Sequence, residues 1–183
     1  MSSSNKREDP ADRLRGAIAE QATAGPICQM LRLAVGAETL VVPIEAVREI
    51  LEVGRMTPLP QTPDFVRGVM NLRGAVVPVI DLGARFGFGA TVIGRRSAII
   101  VVEASGNDDF DRLVAGMLVD AVYEVLDVDS KRIEAVPSLG VGVAAEFLAG
   151  MVNVASGYAA LLKLDQVLSP VALSALIAQA QVP

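Results

Sequence analysis

A short pattern that occurs twice constrains the fold of this chain more than any single segment does. A phenylalanine, a glycine and an asparagine recur with identical spacing, first as Phe65, Gly68 and Asn71 and then as Phe147, Gly150 and Asn153. Each copy precedes a glycine-containing turn and an apolar strand that ends near an aspartate, Asp81 in the first copy and Asp165 in the second. The repetition predicts two related β units in one chain. The alternative is a chance similarity between two hairpins of limited composition.

Most of the chain consists of short apolar runs that are rich in β-branched residues and are interrupted by glycine, proline or charge. Such runs predict the strands of small β-barrels. Hydrophobic residues make up 52% of the 183 positions, which is ample for a packed core. No run approaches the roughly 20 apolar residues that a membrane-spanning helix needs, and the polar N-terminus has no apolar segment for secretion. We therefore expect a cytoplasmic protein without direct membrane insertion.

Composition predicts three parts along the chain. Residues 1–25 contain few bulky apolar side chains and are expected to form a mobile arm, with a helical stretch after Pro10. Residues 26–169 carry the strand patterns. Residues 170–183 follow a serine that can cap a helix and begin with a proline, which favours the first helical position, so they predict an amphipathic C-terminal helix.

The segment before the first repeat combines two periodicities. Residues 44–51 fit both a helical face and a strand, and a short helical turn that runs into a strand reconciles the two patterns. The prolines that follow impose an extended corner. Residues 66–72 and 75–80 are apolar strands on either side of Arg73 and Gly74, which predicts a hairpin.

Charge and residue types exclude several classes of function. A net charge of −5 argues against nucleic-acid binding, because phosphate backbones attract concentrated basic faces. The absence of histidine removes the commonest general base, the commonest metal ligand and any phospho-accepting imidazole. Cys28 is the single cysteine and predicts a small core residue. No glycine-rich segment continues into a phosphate loop. We therefore expect neither a cofactor nor a metal ion.

One stretch of the sequence carries a specific family resemblance. It contains a proline corner, a glycine, the tetrapeptide Asn71-Leu72-Arg73-Gly74, an apolar strand with an internal proline, and Asp81-Leu82. Upstream stands Val47-Arg48-Glu49-Ile50. These motifs resemble the CheW-like coupling proteins of bacterial chemotaxis, and a weaker similarity covers residues 27–169.

The resemblance implies a mostly β fold of two intertwined five-stranded SH3-like β-barrels, with short helices and a hydrophobic groove between the barrels. It also implies an adaptor without catalytic activity. In this family one surface binds the cytoplasmic hairpin tip of methyl-accepting chemoreceptors, and other surfaces bind the regulatory domain of a CheA-type histidine kinase. The expected location is therefore cytoplasmic, with recruitment to membrane receptor arrays.

The same resemblance implies the residues of the two surfaces. The receptor-binding groove would comprise Ile44, Val47, Glu49, Gly68, Arg73, Gly116 and Val122. Gly116 and Val122 are expected on strands of the second barrel, which would form the opposite wall of the groove. Glu134 and Leu139 stand where a contact with the kinase or array is expected.

A structural role remains open for most of these residues. Ile44 and Val47 would equally suit a core, and Glu49 would suit solvent. Arg73 would either lock its turn, pairing with Glu49 if their strands are neighbours, or face a partner. Gly68 would allow a close backbone approach or a bulge. By the same reasoning Glu134 would face solvent and Leu139 would join the core.

Two other classes of function remain open from sequence. A carboxylate-dependent enzyme would use Asp81 and Asp165 as an acid and base pair at the mouth of a deep cavity. A small-molecule-binding β-barrel regulator would require a closed apolar cavity. A shallow apolar groove would favour the adaptor.

Overall fold

The computed structural model describes residues 24–105 and 112–168, together with the single positions Ala11, Arg13 and Arg15. These three positions are helical, in agreement with the helical stretch expected after Pro10. Apart from these three positions and residues 24 and 25, the predicted arm lies outside the described residues, as do residues 106–111 and the predicted C-terminal helix.

The described residues form ten strands, two short α-helices and three single turns of 3₁₀-helix. The strands are β1 (Ile27–Val35), β2 (Glu38–Pro43), β3 (Val47–Glu52), β4 (Val66–Leu72), β5 (Ala75–Asp81), β6 (Ala98–Ser105), β7 (Arg112–Val119), β8 (Ala121–Asp129), β9 (Leu148–Val154) and β10 (Gly157–Leu162). The helices are α1 (Leu82–Arg85) and α2 (Leu164–Val167), and the 3₁₀ turns are Ile44–Ala46, Ser130–Arg132 and Ala145–Phe147. The helical turn that runs into a strand near residue 44 is confirmed, as is the hairpin around Arg73 and Gly74.

The strands form two five-stranded sheets that interleave along the chain. The first sheet has the order β8-β1-β2-β10-β9 and the second has the order β3-β6-β7-β5-β4. The chain thus begins in the first sheet, builds the whole of the second, and returns to complete the first. The predicted mostly β fold with two intertwined five-stranded units is confirmed.

The two sheets repeat one topology. Strands β8, β9, β10, β1 and β2 of the first sheet correspond, in this order, to β3, β4, β5, β6 and β7 of the second, because corresponding strands have corresponding neighbours. Each sheet contains one parallel pair, which is β2 with β10 in the first sheet and β5 with β7 in the second. The repeated phenylalanines occupy equivalent places. The carbonyl oxygen of Phe65 accepts a hydrogen bond from the Asp81 amide at 2.7 Å, and that of Phe147 accepts one from the Lys163 amide at 2.8 Å.

This equivalence corrects one detail of the predicted repeat. The counterpart of Asp81 in the second copy is Lys163, and Asp165 lies inside α2 instead. Asp81 is the N-cap residue of α1, where its side chain accepts a hydrogen bond from the Ala84 amide at 3.2 Å. Lys163 stands at the same cap without a side-chain hydrogen bond. The two copies therefore share backbone geometry and differ in chemistry.

Each sheet is bridged at its edges by a short backbone pairing beside a repeated glycine. Thr57, which follows β3, exchanges two hydrogen bonds of 2.8 Å with Val69 on β4. Glu134, which follows β8, exchanges two of 2.8 Å with Met151 on β9. At Gly68, where the pairing of β4 with β5 shifts register, a Cβ atom would overlap the Thr57 carbonyl. The close approach and the bulge expected at Gly68 are both present.

One large apolar cluster belongs to both sheets. It contains residues such as Leu33 and Leu40 from the first sheet and Ile100 and Met117 from the second, all fully buried. Each sheet also has a smaller cluster of its own: Met30, Val41, Val128, Val152, Ala159 and Leu161 in the first, and Val79, Ile99, Val101 and Leu118 in the second. The strands therefore bury side chains on both faces, which explains their nearly continuous apolar sequence.

Gly68→Ala should lower the free energy of unfolding by at least about 2 kcal/mol, because a φ of +144° is strained for alanine and the Cβ atom has no room. Gly54→Ala is the control, since a Cβ there has no neighbour within 4 Å, and it should change stability by no more than about 0.5 kcal/mol. Denaturant unfolding measures both. Equal stability of the two variants would contradict the close approach.

Candidate functional site

An open groove of about 500 Å³ lies where the two sheets meet. One wall comes from β2, β9, β10 and α2 of the first sheet, and the other comes from the end of β6 in the second. Its lining residues are Pro43, Glu103, Ala104, Ser105, Ala149, Leu161, Leu162, Lys163, Leu164 and Asp165. Leucine, alanine and proline dominate this set, and the charged residues permit polar contacts. A groove of this kind suits a peptide or helical partner better than an enclosed small molecule.

Ile44 and Val47, two of the predicted receptor residues, stand beside groove residues in the chain or in the strand pairing. Pro43 lines the groove, and the adjoining Ile44 is half-buried against the cluster that both sheets share. Val47 at the start of β3 packs against the same cluster and pairs with Val102, the neighbour of the groove residue Glu103. Ile44 and Val47 therefore have a core-packing role, as the structural alternative predicted, and retain partial exposure.

Glu49 and Arg73 form an ion pair of 2.8 Å between Oε1 and a guanidinium nitrogen. Glu49 lies on β3 and Arg73 in the turn that follows β4, and these two strands stand at opposite ends of the strand order without being hydrogen-bonded neighbours. The sheet curls enough for the pair to form across its two edges. The Arg73 side chain is 80% exposed and that of Glu49 is 24% exposed, so the pair lies at the surface. Arg73 also has a positive φ of 51° in its turn.

The structure changes the expected placement of Gly116. It lies in β7 of the second sheet, the same sheet as Glu49 and Arg73, and not in the other unit. It is buried, and a Cβ there would lie 2.8 Å from Ile99 Cγ2. The prediction that Gly116 belongs to the opposite barrel is wrong, because the chain changes sheets only after β7. Val122 does lie in the other sheet, on β8, where it is half-buried against the shared cluster.

The predicted kinase or array residues lie in the loop between Ser130–Arg132 and Ala145–Phe147. The backbone of Glu134 pairs with Met151, and its side chain is exposed. Leu139 is 87% exposed, so the alternative of a core role for Leu139 is wrong. The loop is thus anchored at one end and presents a large apolar side chain to solvent.

Asp81 and Asp165 do not form a catalytic pair. Asp81 is completely buried. Its oxygens accept hydrogen bonds from Arg67 at 2.8 Å, from the Thr91 hydroxyl at 2.7 Å and from the Thr91 amide at 2.9 Å, besides the Ala84 amide. Asp165 lies exposed at the groove, on α2, the helix that follows the first sheet. Because its acceptor positions are occupied by structural donors, Asp81 has no free oxygen for a substrate.

Two charged residues that the sequence analysis did not identify lie at or near the groove. Glu103 accepts hydrogen bonds from Arg48 and, at 3.0 Å, from Arg112. The hydrogen bond from Arg48 is the main cause that lowers the pKa of Glu103. Arg85 on α1 contacts α2, and its partial burial lowers its pKa, while Glu146 acts in the opposite direction. Neither residue has a sequence signal, because the partners of each come from distant positions.

Within the part of the chain that the structure describes, no group of His, Cys, Asp or Glu residues is arranged to hold a metal ion. In the same part, no helix is long and apolar enough to span a membrane.

Two interleaved five-stranded sheets with an apolar groove between them make up a fold that a family of adaptor domains shares. The model of the CheW-like domain matches residues 29–171, and the chain belongs to this family. It is a chemotaxis coupling adaptor.

Named relatives and a solved structure agree with this membership. The chemotaxis protein CheW of Rhizobium meliloti is 35% identical over 76% of this chain and 86% of its own length. The protein FrzA of Myxococcus xanthus is 39% identical over 74% of this chain and 80% of its own. The crystal structure of the scaffolding protein TtCheW from Thermoanaerobacter tengcongensis superposes with a TM-score of 0.68 and 32% identity, covering 78% of this chain and 88% of that chain.

Glu103→Gln should remove a contribution to stability that depends on pH. The folded-state pKa of Glu103 lies below its ordinary value of 4.5, so the contribution is complete above that pH and is lost as pH falls through the folded value. The stability difference between wild type and Glu103→Gln should therefore be constant near neutral pH and shrink in acid. Denaturant unfolding across a pH series measures it. A difference that is unchanged in acid would contradict the assignment, and Arg48→Met should reduce the acid dependence.

Proposed function

We propose that this chain couples the cytoplasmic tips of chemoreceptors to the regulatory domain of a CheA-type histidine kinase and catalyses no reaction itself. The proposal rests on the apolar groove that lies between the two sheets of a chain belonging to the CheW-like family. In this role the protein is cytoplasmic and is recruited to arrays of membrane receptors. Titration of the chain with a receptor-tip fragment and with the kinase regulatory domain tests the proposal.

The receptor surface consists of Ile44, Val47, Glu49 and Arg73, and continues into the groove through Pro43. The partly exposed apolar side chains supply area that a helical hairpin can cover, and the Glu49–Arg73 pair supplies charge at its rim. A rim charge pair contributes orientation and specificity more than affinity. Arg73 is the more exposed partner, so it is available to an acidic group on the receptor.

The remaining receptor-site residues act on this surface through packing. Gly68 permits the Thr57–Val69 pairing that draws together the edges on which Glu49 and Arg73 lie. Gly116 permits the close packing of β7 against Ile99, and Val122 supports the shared cluster from the first sheet. Substitution of these three residues should therefore weaken partner binding through the shape of the surface.

The kinase or array surface is the loop that contains Glu134 and Leu139. A leucine that is 87% exposed leaves apolar area uncovered in the isolated chain. Apolar anchors beside charged residues are typical of the contact regions of transient complexes. The backbone pairing of Glu134 with Met151 gives this loop a fixed base on β9.

The purified chain should not transfer or accept phosphate. It contains no histidine, Asp81 is engaged by structural donors, and Asp165 lies on a separate element, the exposed helix α2. Incubation with labelled ATP, with and without a CheA-type kinase, checks this. Label that enters the chain in the absence of kinase would contradict the non-enzymatic role.

Glu49→Lys should weaken binding to a receptor fragment by about 1 to 3 kcal/mol, because the reversed charge repels Arg73 and removes the ion pair that orients Arg73 at the rim of the surface. Stability should fall by no more than about 1 kcal/mol, as for other exposed ion pairs. Binding to the kinase regulatory domain should be retained. Titration of both fragments, paired with denaturant unfolding, measures all three quantities.

Glu52→Lys is the matched control for this experiment, since Glu52 is an exposed glutamate at the end of the same strand. It should leave receptor affinity unchanged. Equal receptor affinities of Glu49→Lys and wild type would remove Glu49 from the receptor surface. A loss of stability together with both affinities would instead show that Glu49 acts mainly as a structural partner of Arg73.

A further inference from the structure

Aromatic residues are scarce in this chain, yet four of its five phenylalanines meet around α1, between the two sheets. Phe86 packs on Phe147 with ring centroids 5.4 Å apart and on Phe88 at 6.2 Å. Phe88 in turn lies against Gly36 in the β1–β2 turn of the first sheet. The end of the second sheet is thus attached to the first by an aromatic cluster.

Arg85 lies at the centre of this aromatic cluster. Its guanidinium carbon lies 4.5 Å from the ring centroid of Phe65 and 4.7 Å from that of Phe147, so it contacts both of the repeated phenylalanines. It also donates hydrogen bonds to the carbonyl oxygens of Val167 at 3.1 Å and Gln166 at 3.2 Å. These carbonyls lie at the end of α2. One side chain from α1, the helix that follows β5 of the second sheet, therefore holds α2, the helix that follows β10 of the first sheet.

The same helix forms part of the groove. Leu164 and Asp165 at its beginning line one wall, whereas Ala104 and Ser105 on β6 line the other. A four-residue helix is only about 6 Å long, so its two ends cannot move independently. The position in which Arg85 holds the end of α2 consequently sets the distance between the walls.

We propose that Arg85 is a positioning residue that fixes the width of the partner groove without contacting the partner. Lysine cannot replace it fully, because a planar guanidinium stacks between two rings while it donates to two carbonyls, and an ammonium group does not. The effect on the groove does not depend on which partner binds. The effect on receptor affinity rests on the proposed function.

The first experiment measures the groove itself by pulsed electron paramagnetic resonance. Spin labels are attached at Ser105→Cys and Asp165→Cys in a Cys28→Ser background, and a control pair is placed at Asp127→Cys and Asn153→Cys within the first sheet. Arg85→Met should shift or broaden the distance distribution of the groove pair and leave that of the control pair unchanged. Arg85→Lys should give a smaller change. An unchanged groove distance in folded Arg85→Met would overturn the proposal.

The second experiment titrates the unlabelled variants against a receptor-tip fragment. Arg85→Met should weaken binding roughly 2- to 30-fold, as for residues that act on a site through their neighbours, with partial recovery in Arg85→Lys. Arg32→Lys is the matched control. Arg32 also stacks on an aromatic ring, that of Tyr123 at 4.4 Å, and pairs with Glu124, but both partners lie within the first sheet. Its substitution should leave affinity unchanged.

The outcomes separate this proposal from the proposed function. If the wild type does not bind the receptor fragment, the coupling function fails, and the groove distances still decide the role of Arg85. If the groove distance changes while affinity does not, Arg85 does not position the receptor surface. Should Arg85→Met fail to fold, Phe65→Leu removes one of the two rings while keeping an apolar side chain, and the same distance and affinity changes are expected of it.

Discussion

The burial of one apolar cluster by both sheets is the constraint on which the rest of this structure depends. Leu33 and Leu40 from one sheet and Ile100 and Met117 from the other are completely buried in it. Neither sheet can remove these side chains from water alone, so the two units are obliged to remain in contact. The groove lies at the edge of this contact, with α2 on one wall and the end of β6 on the other. The proposed partner surface is therefore a consequence of how two β units share a core.

The strands were predictable because their alternation and their turn formers are local signals. The hairpin around Arg73 and the close approach at Gly68 follow from residue types within a few positions. Gly116 was misplaced, because sequence order suggested that later residues belong to the second unit, whereas the chain leaves the second sheet only after β7. Asp165 was paired with Asp81 because both are aspartates. The hydrogen bonds from the two phenylalanine carbonyls show that the position equivalent to Asp81 is that of Lys163.

Burial separates the charged residues that hold the fold together from those that remain accessible to a partner. Asp81 is buried and fully hydrogen-bonded, and its bonds to Thr91 and Arg67 hold the end of β5 and the loop after α1. The ion pairs formed by Glu49, Arg73 and Glu103 lie near the surface, where solvent screens the attraction between the charges. Replacing such an ion pair by a contact with a partner protein therefore costs little free energy. Sequence alone offered Glu49 as a receptor contact and Asp81 as a catalytic residue of an alternative function. Only the three-dimensional environment shows that Glu49 remains accessible.

The duplication explains why the contact between the two units uses different residues at equivalent positions. The last residues of the two short helices, Arg85 and Val167, occupy equivalent positions, and the Arg85 side chain bonds the Val167 carbonyl. Val167 is buried in the cluster that both sheets share, so an arginine at its position would place a charge in the core without solvent. Arg85 satisfies the carbonyls of α2, and Val167 at the equivalent position fills the shared core. The repeated fold thus needs different residues at equivalent positions, because the two copies meet there.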